Sequence, residues 1–216
     1  MTLNRKTHRA FNRVRENNFS LVGLLGFTLN GKTVGIIGTG KIGRCTARIL
    51  NGFGCKLIAY DIYQHDEFIS LGGKYTATLD ELLSQSDIVS LHAPLLESTK
   101  QMINEDALAK MKPGALLINT SRGALINHHA IIEALKRKQL GGLAIDVYEA
   151  EEGLFFQNHE GEILDDDVIS RLMTFHNVLI TGHQGFFTRE SLAEIASVTV
   201  QNLKDFEENR KCHNIV

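Results

Sequence analysis

Cysteine is scarce in this sequence: three residues in 216, at Cys45, Cys55 and Cys212. An odd number without C-x-x-C spacing excludes a disulfide framework and offers no thiolate metal site. The three read as reduced thiols of a cytoplasmic compartment, with no metal bound. Long apolar runs are missing too. No stretch of 18 apolar residues occurs, so no segment is predicted to span a bilayer. Nor does an apolar core of a secretory signal follow Met1-Thr2-Leu3-Asn4-Arg5-Lys6. Charge of one sign does not dominate: 23 Lys and Arg face 25 Asp and Glu, a net charge of −2. Nucleic acid and anionic membrane are therefore not expected partners. Internal repeats and low-complexity tracts are also lacking.

What is present is ordinary globular composition, 43% hydrophobic and 22% charged. The length suits one generous domain, or one domain plus part of another. The chain opens on a predicted helix with Leu3, Thr7, Ala10, Phe11 and Val14 at helical spacing, ended by Asn17-Asn18 and the glycines Gly23 and Gly26. Its Arg and Lys residues superficially suggest an organelle presequence, but its apolar positions suit burial against a domain. Apolar runs then predict strands at 33–38, 56–61, 88–92, 115–120, 142–147 and 178–181. Helical patterns fall between them at 41–53, 79–84, 105–111, 130–137 and 166–175. Two stretches read as irregular, 64–75 and the acidic 149–167. A last helix, 189–208, presents Leu192, Ile195, Ala196, Val200 and Leu203 and needs an apolar surface to lie on. Apolar strands alternating with amphipathic helices predict a doubly wound α/β domain built on a parallel sheet.

One motif has a full structural context. Gly38-Thr39-Gly40-Lys41-Ile42-Gly43 stands between the strand Thr33-Val34-Gly35-Ile36-Ile37 and a helix, and Asp61 closes the next strand. That is the dinucleotide fingerprint. Gly38 permits the tight turn, Gly40 lets backbone approach a pyrophosphate, and Gly43 lets helix and strand pack closely. Lys41 and Ile42 open the helix whose unpaired N–H groups favour phosphate. Asp61 suits the two ribose hydroxyls and repels a 2′-phosphate, which favours NAD over NADP.

Three further strand ends carry polar residues where open α/β sheets bind ligands. They are Asn119-Thr120-Ser121-Arg122-Gly123, Asp146-Val147-Tyr148-Glu149-Ala150-Glu151 and Thr181-Gly182-His183-Gln184. An arginine, an acid and a histidine in one cleft suit a carbonyl substrate that bears a carboxylate. Arginine pairs bidentately with a carboxylate. Histidine exchanges a proton with the oxygen that gains charge as hydride arrives. A carboxylate beside an imidazolium fixes its orientation and favours its charged form.

With these segments, together with Ala124-Leu125-Ile126 and Phe186, the sequence resembles the D-isomer-specific 2-hydroxyacid dehydrogenases, most of all their fermentative, NAD-dependent D-lactate branch. The likeness runs from about Leu3 to the C-terminus. It implies Arg122, Glu151 and His183 as catalytic residues, with Glu149 the competitor for the acid role. Arg122 and Phe186 would contact substrate, Phe186 against its methyl group. Gly185 departs from the Ala or Thr expected there, which loosens that wall. Beyond the loop and Asp61, the resemblance places Ala93, Pro94 and Thr99 after His92 at the cofactor edge, counts Thr120 and Ser121 among the cofactor-binding residues, and sets Asp146 near the nicotinamide. Lys100 and Gln101 read as plain surface. His8, His65, His128, His129, His159, His176 and His213 read as structural or surface.

The resemblance further implies a Rossmann-type cofactor domain over 1–184, its first 22 residues an interdomain helix, with 185–216 a C-terminal segment of a substrate domain. The rest of that domain, the N-terminal part of the family, is absent from this chain. The implied reaction is pyruvate and NADH to D-lactate and NAD by a homodimer formed through the cofactor domain, impaired where the second domain is missing. A bulkier 2-oxo acid as substrate, or a catalytically silent NAD-binding module, remain alternatives.

Overall fold

The computed structural model describes residues 1–208 and residue 210; Cys212 and His213 lie outside the described residues. Seven strands form one sheet: β1 (Thr33–Ile37), β2 (Lys56–Tyr60), β3 (Lys74–Tyr75), β4 (Ile88–Leu91), β5 (Ala115–Asn119), β6 (Leu140–Ile145) and β7 (Val178–Ile180). Their order is β3-β2-β1-β4-β5-β6-β7, and every adjacent pair is parallel. The helices are α1 (Thr2–Arg5), α2 (Thr7–Arg15), α3 (Lys41–Gly52), α4 (Asp66–Ser70), α5 (Leu79–Gln85), α6 (Glu105–Lys110), α7 (His128–Lys136), α8 (Asp167–Met173) and α9 (Arg189–Glu207), with a 3₁₀ turn at Gly123–Leu125. The chain forms two compact units. Met1–Gly182 holds the whole sheet, and the second begins at His183.

The strands read as continuous apolar runs because both faces of the sheet are covered. In β1, Ile36 packs in one layer with Ala47, Leu57, Ala59 and Phe68. Its neighbour Ile37 packs in the opposite layer with Ile58, Leu82, Leu91 and Leu117. Side chains two apart therefore share a face, and each face needs its own crossover helices. Those helices start where the sequence supplies a cap. Thr78, Asn104, Asn127 and Asp166 accept backbone N–H groups at the N-termini of α5, α6, α7 and α8. The doubly wound α/β expectation holds. Five expected strands end one residue early, because Gly38, Asp61, His92, Thr120 and Thr181 leave the ladder at its C-terminal edge.

Three expectations need correction. The leading helix is broken at Lys6, which adopts the left-handed conformation (φ 50°, ψ 37°) between α1 and α2. The Lys6 ammonium donates to the carbonyls of Gly23 and Leu25, both at 3.1 Å. Burial falls on α1 rather than α2: Leu3 and Asn4 are buried, whereas α2 buries no residue and Phe11 and Val14 are exposed. Asn4 anchors the segment by exchanging two hydrogen bonds with the Phe27 backbone, at 2.7 and 2.9 Å. The third correction is at 64–75, which is not irregular. It contains α4, held by the fully buried Phe68, and the two-residue edge strand β3.

The acidic stretch after β6 carries no regular element before α8. In the second unit, α9 is capped by Thr188, which accepts from Ser191 N, and none of its residues is buried. No helix among the described residues is long and apolar enough to cross a membrane.

Candidate active site

The chain leaves β1 toward β2 and β3 on one side, then returns to place β4 on the other. This reversal opens a crevice beyond the C-terminal ends of β1 and β4. Gly38 and Ala93 meet there. Gly38 has φ +91°, and a Cβ on it would lie 2.7 Å from the Ala93 nitrogen. A Cβ on Gly43 would lie 2.1 Å from the Gly38 carbonyl oxygen, so α3 can start this close to β1 only with glycine. Around Gly40 nothing lies within 4 Å of the Cβ position. The loop is thus packed on its inner side and open on its outer side, where the first N–H groups of α3 point. That shape fits a dinucleotide pyrophosphate. Lys41 and Ile42, in this first turn, are exposed.

A cleft of about 490 Å³ adjoins the loop and is lined by Gly38, Gly40, Asp61, Ala93, Pro94 and Thr99. Six expected cofactor residues therefore share one surface. The Thr99 hydroxyl is committed to the turn it closes, accepting from Leu96 N at 2.8 Å and donating to the Pro94 carbonyl at 2.7 Å. Gln101 is not plain surface: its side-chain oxygen accepts from Asn127 Nδ2 at 3.1 Å.

Asp61 sits in a network that motif reading did not show. Its Oδ2 accepts from the Thr39 backbone N–H at 2.5 Å and from the Thr39 hydroxyl at 2.9 Å, and its Oδ1 accepts from Tyr63 N at 3.0 Å. Tyr75, from the overlooked strand β3, donates its hydroxyl to Thr39 Oγ1 at 2.9 Å. Burial opposes the Asp61 charge, but the Thr39 and Tyr63 N–H groups, the Thr39 hydroxyl and nearby His65 hold its carboxyl below the usual range. His65, read as structural or surface, lines the cleft beside it.

At the end of β5, Asn119 shapes the turn that carries Arg122. Its Nδ2 donates to the Arg122 carbonyl at 2.8 Å, and its Oδ1 accepts from Ser121 N at 3.1 Å. The Ser121 hydroxyl donates to the Ala93 carbonyl at 2.7 Å, which ties this turn to the end of β4. Thr120 and Arg122 are exposed, and the Arg122 guanidinium donates to the Ser121 carbonyl. Gly123 rests on the chain after β6, where a Cβ would come within 2.1 Å of the Tyr148 carbonyl carbon. The arginine turn and the acidic segment are therefore in backbone contact.

Along that segment Asp146 is buried and accepts from the Thr181 hydroxyl. Glu151 turns back so that its Oε2 accepts from Tyr148 N at 3.0 Å, while Glu149 is exposed. The Tyr148 hydroxyl donates to the Asp166 carboxylate, which also caps α8, so the acidic segment is pinned at both ends. Burial, and then Asp166, push the Tyr148 phenol up. His183 opens the second unit with φ 52°, uncommon for a residue other than glycine. Its ring meets Phe186 edge-on at 6.1 Å, and Phe186 meets Phe187 in the same way.

Two histidines give the fold a pH dependence. His92 stands 2.9 Å from the Ser90 hydroxyl, and His128 packs its ring edge-on to Tyr148 at 4.8 Å with Nε2 buried and unpartnered. Burial lowers both to about 4 from 6.5. Below pH 6.5 the unfolded chain takes up protons that the folded chain refuses, so stability is lost as pH falls toward 4. Denaturant unfolding at pH 5 is expected to show about 2–4 kcal/mol less stability than at pH 7. His128→Asn should flatten that slope; equal stability at both pH values contradicts the assignment.

Residues 1–185 match the family model described as the D-isomer specific 2-hydroxyacid dehydrogenase NAD binding domain. The chain is 61% identical over 213 residues to 2-hydroxyacid dehydrogenase A of Aspergillus oryzae, a match covering 99% of this chain and 61% of that protein. It is 58% identical over 205 residues to the D-lactate dehydrogenase kk1H of Curvularia clavata, covering 95% and 58%. The solved structure of the pyruvate reductase of Chlamydomonas reinhardtii superposes with a TM-score of 0.94 at 45% identity, covering 99% of this chain and 64% of that one. The chain spans roughly three fifths of the length of these relatives.

Proposed function

The chain belongs to the family of D-isomer-specific 2-hydroxyacid dehydrogenases, and on that premise we propose that it serves the NAD-dependent reduction of pyruvate to D-lactate. The observation that carries this reading is the loop left open at Gly40, on the same sheet edge as an arginine turn seated against an acid-bearing strand end. The names of the relatives add the substrate class: they are 2-hydroxyacid and D-lactate dehydrogenases and a pyruvate reductase.

The loop residues Gly38, Gly40, Lys41, Ile42 and Gly43 hold the pyrophosphate, and Asp61 takes the adenosine ribose hydroxyls. Ala93, Pro94 and Thr99 flank the cofactor, and Thr120, Ser121 and Asp146 serve its nicotinamide end. When bound, NADH supplies the hydride. Arg122 binds the substrate carboxylate as a bidentate pair. His183 gives a proton to the former carbonyl oxygen, Glu151 keeps the imidazolium oriented, and Phe186 faces the methyl group. These roles rest on the family's motif. The same likeness assigns 1–184 to the cofactor domain, 1–22 of it as interdomain helix, and 185–216 to a substrate domain. It also supports a homodimer formed through the cofactor domain.

The test is NADH oxidation with pyruvate, the chirality of the product being determined. Formation of D-lactate supports the reading. Faster turnover of branched 2-oxo acids replaces the substrate, and NADH binding without turnover of any 2-oxo acid marks a silent module. Asp61→Ala is expected to weaken NADH binding by about tenfold and narrow its advantage over NADPH. Unchanged titrations for both cofactors reject the role of Asp61.

A further inference from the structure

Resting on the cofactor site just described, we propose that Glu67 is a second determinant of cofactor choice, acting as a resident anion that occupies the two arginines a 2′-phosphate would need. The relevant chain of contacts starts at Thr39, which is fully buried. Its N–H and hydroxyl bind Asp61, and its carbonyl accepts from Arg44 Nη1 at 2.7 Å. A single residue, Thr39, therefore links the proposed ribose acceptor to a guanidinium. The Arg44 side chain is only 18% exposed, so that group is fixed rather than swept through solvent.

Arg44 does not stand alone. Arg48 follows one turn later on the same face of α3, and Glu67 bridges the two. Glu67 Oε2 accepts from Arg44 Nε at 2.7 Å, and Oε1 accepts from Arg48 Nη2 at 2.5 Å. Both guanidinium groups hold the Glu67 carboxyl below its usual range. The carboxylate is itself held in place: α4, which carries it, is anchored by the fully buried Phe68. Without Glu67, Arg44 in the first turn of α3 and Arg48 one turn later would have no carboxylate between them.

A 2′-phosphate carries a charge of about −1.5 to −2 and several strong acceptors, the ligand that paired arginines prefer. To reach them here it must displace a carboxylate tethered to the same fold, whose effective concentration is high. Asp61 repels such a phosphate directly, and Glu67 withholds the groups that would reward it. NADH carries no 2′-phosphate and meets neither obstacle. The Glu67 and Arg48 side chains are 44% and 60% exposed, so water can replace the carboxylate and its removal leaves the fold intact.

The experiment is titration of NADH and NADPH into the full chain, followed by nicotinamide fluorescence, for the unaltered protein, Glu67→Gln, and Glu67→Gln combined with Arg44→Gln. Glu67→Gln is expected to lower the NADPH dissociation constant about tenfold and to leave that for NADH within about twofold. The gain should shrink when salt is raised from about 0.05 to about 0.5 M, and Arg44→Gln should abolish it. Combined with Asp61→Asn, which keeps an oxygen for the Thr39 N–H, Glu67→Gln should bring the two cofactors to near parity. Parallel changes for both cofactors in Glu67→Gln, no change in either, or a gain that survives Arg44→Gln would each overturn the role of Glu67. Failure of the unaltered chain to bind NADH overturns the underlying site assignment as well, and is distinguished by that control.

Discussion

On the proposed function, replacing His183 by glutamine in an enzyme complete in both domains is expected to lower pyruvate reduction by about 10²–10⁴-fold while NADH affinity changes by less than about threefold. The asymmetry follows from what the imidazole is proposed to do. As the hydride reaches the carbonyl carbon, the oxygen gains charge that only a positioned acid can neutralise at once. Glutamine keeps approximate size and a hydrogen-bond donor but has no proton to release. Ground-state binding of the dinucleotide is proposed to draw on the glycine loop and Asp61, which the substitution leaves alone. The measurement is initial rate against pyruvate concentration, with NADH affinity titrated separately. Turnover within a few-fold of the unaltered chain would remove His183 from the acid role, and a parallel collapse of NADH binding would make its role structural.

A second large effect is expected at Gly43, with Gly40 as its counterpart. Alanine at Gly43 places a methyl group 2.1 Å from the Gly38 carbonyl oxygen, where backbone must give way. Overpacking of this kind costs about 1–3 kcal/mol. In a chain of this size that lowers the melting temperature by roughly 2–12 °C, and NADH binding should be lost with the loop geometry. Alanine at Gly40 meets nothing within 4 Å, and its φ of −58° is one any residue adopts. Gly40→Ala should therefore melt like the unaltered chain and yet bind NADH at least about tenfold more weakly, because its methyl group fills the space left for phosphate. Thermal melts and NADH titrations of the two variants separate a packing role from a binding role. Equal losses of stability at both positions would contradict this division.

The sheet was legible because its signals are local. Six of the seven strands are apolar runs bounded by turn residues, and the glycine loop announces its own strand and helix. The glycine loop and its acidic partner were legible for the same reason, since Gly38 and Asp61 each directly follow a strand, whereas Ala93, Pro94 and Thr99 came from likeness to the family. What escaped depends on partners distant in sequence. The strand β3 has two residues and no period to detect. The break at Lys6 is set by carbonyls of residues 23 and 25, and α2 offers an apolar stripe that nothing in its unit covers. Thr39 reads as filler between glycines until Asp61, Tyr75 and Arg44 are seen to converge on it. The roles given to Arg122, Glu151 and His183 came from likeness to a family rather than from patterning, since a lone arginine, acid or histidine at a strand end is common.

The all-parallel order has a consequence for how the molecule comes into being. β1 is synthesised first but sits mid-sheet, and its junction with β4 includes a bond from Thr33 N to Asp87 that spans 54 residues. Until that loop closes, the β1–β2 pair presents a bare row of backbone donors and acceptors on the side meant for β4. Folding should accordingly be slow for a domain of this size. During translation the nascent chain passes through a window, between emergence of β2 and docking of β4, in which this unpaired edge is open to strands of neighbouring chains or to a chaperone.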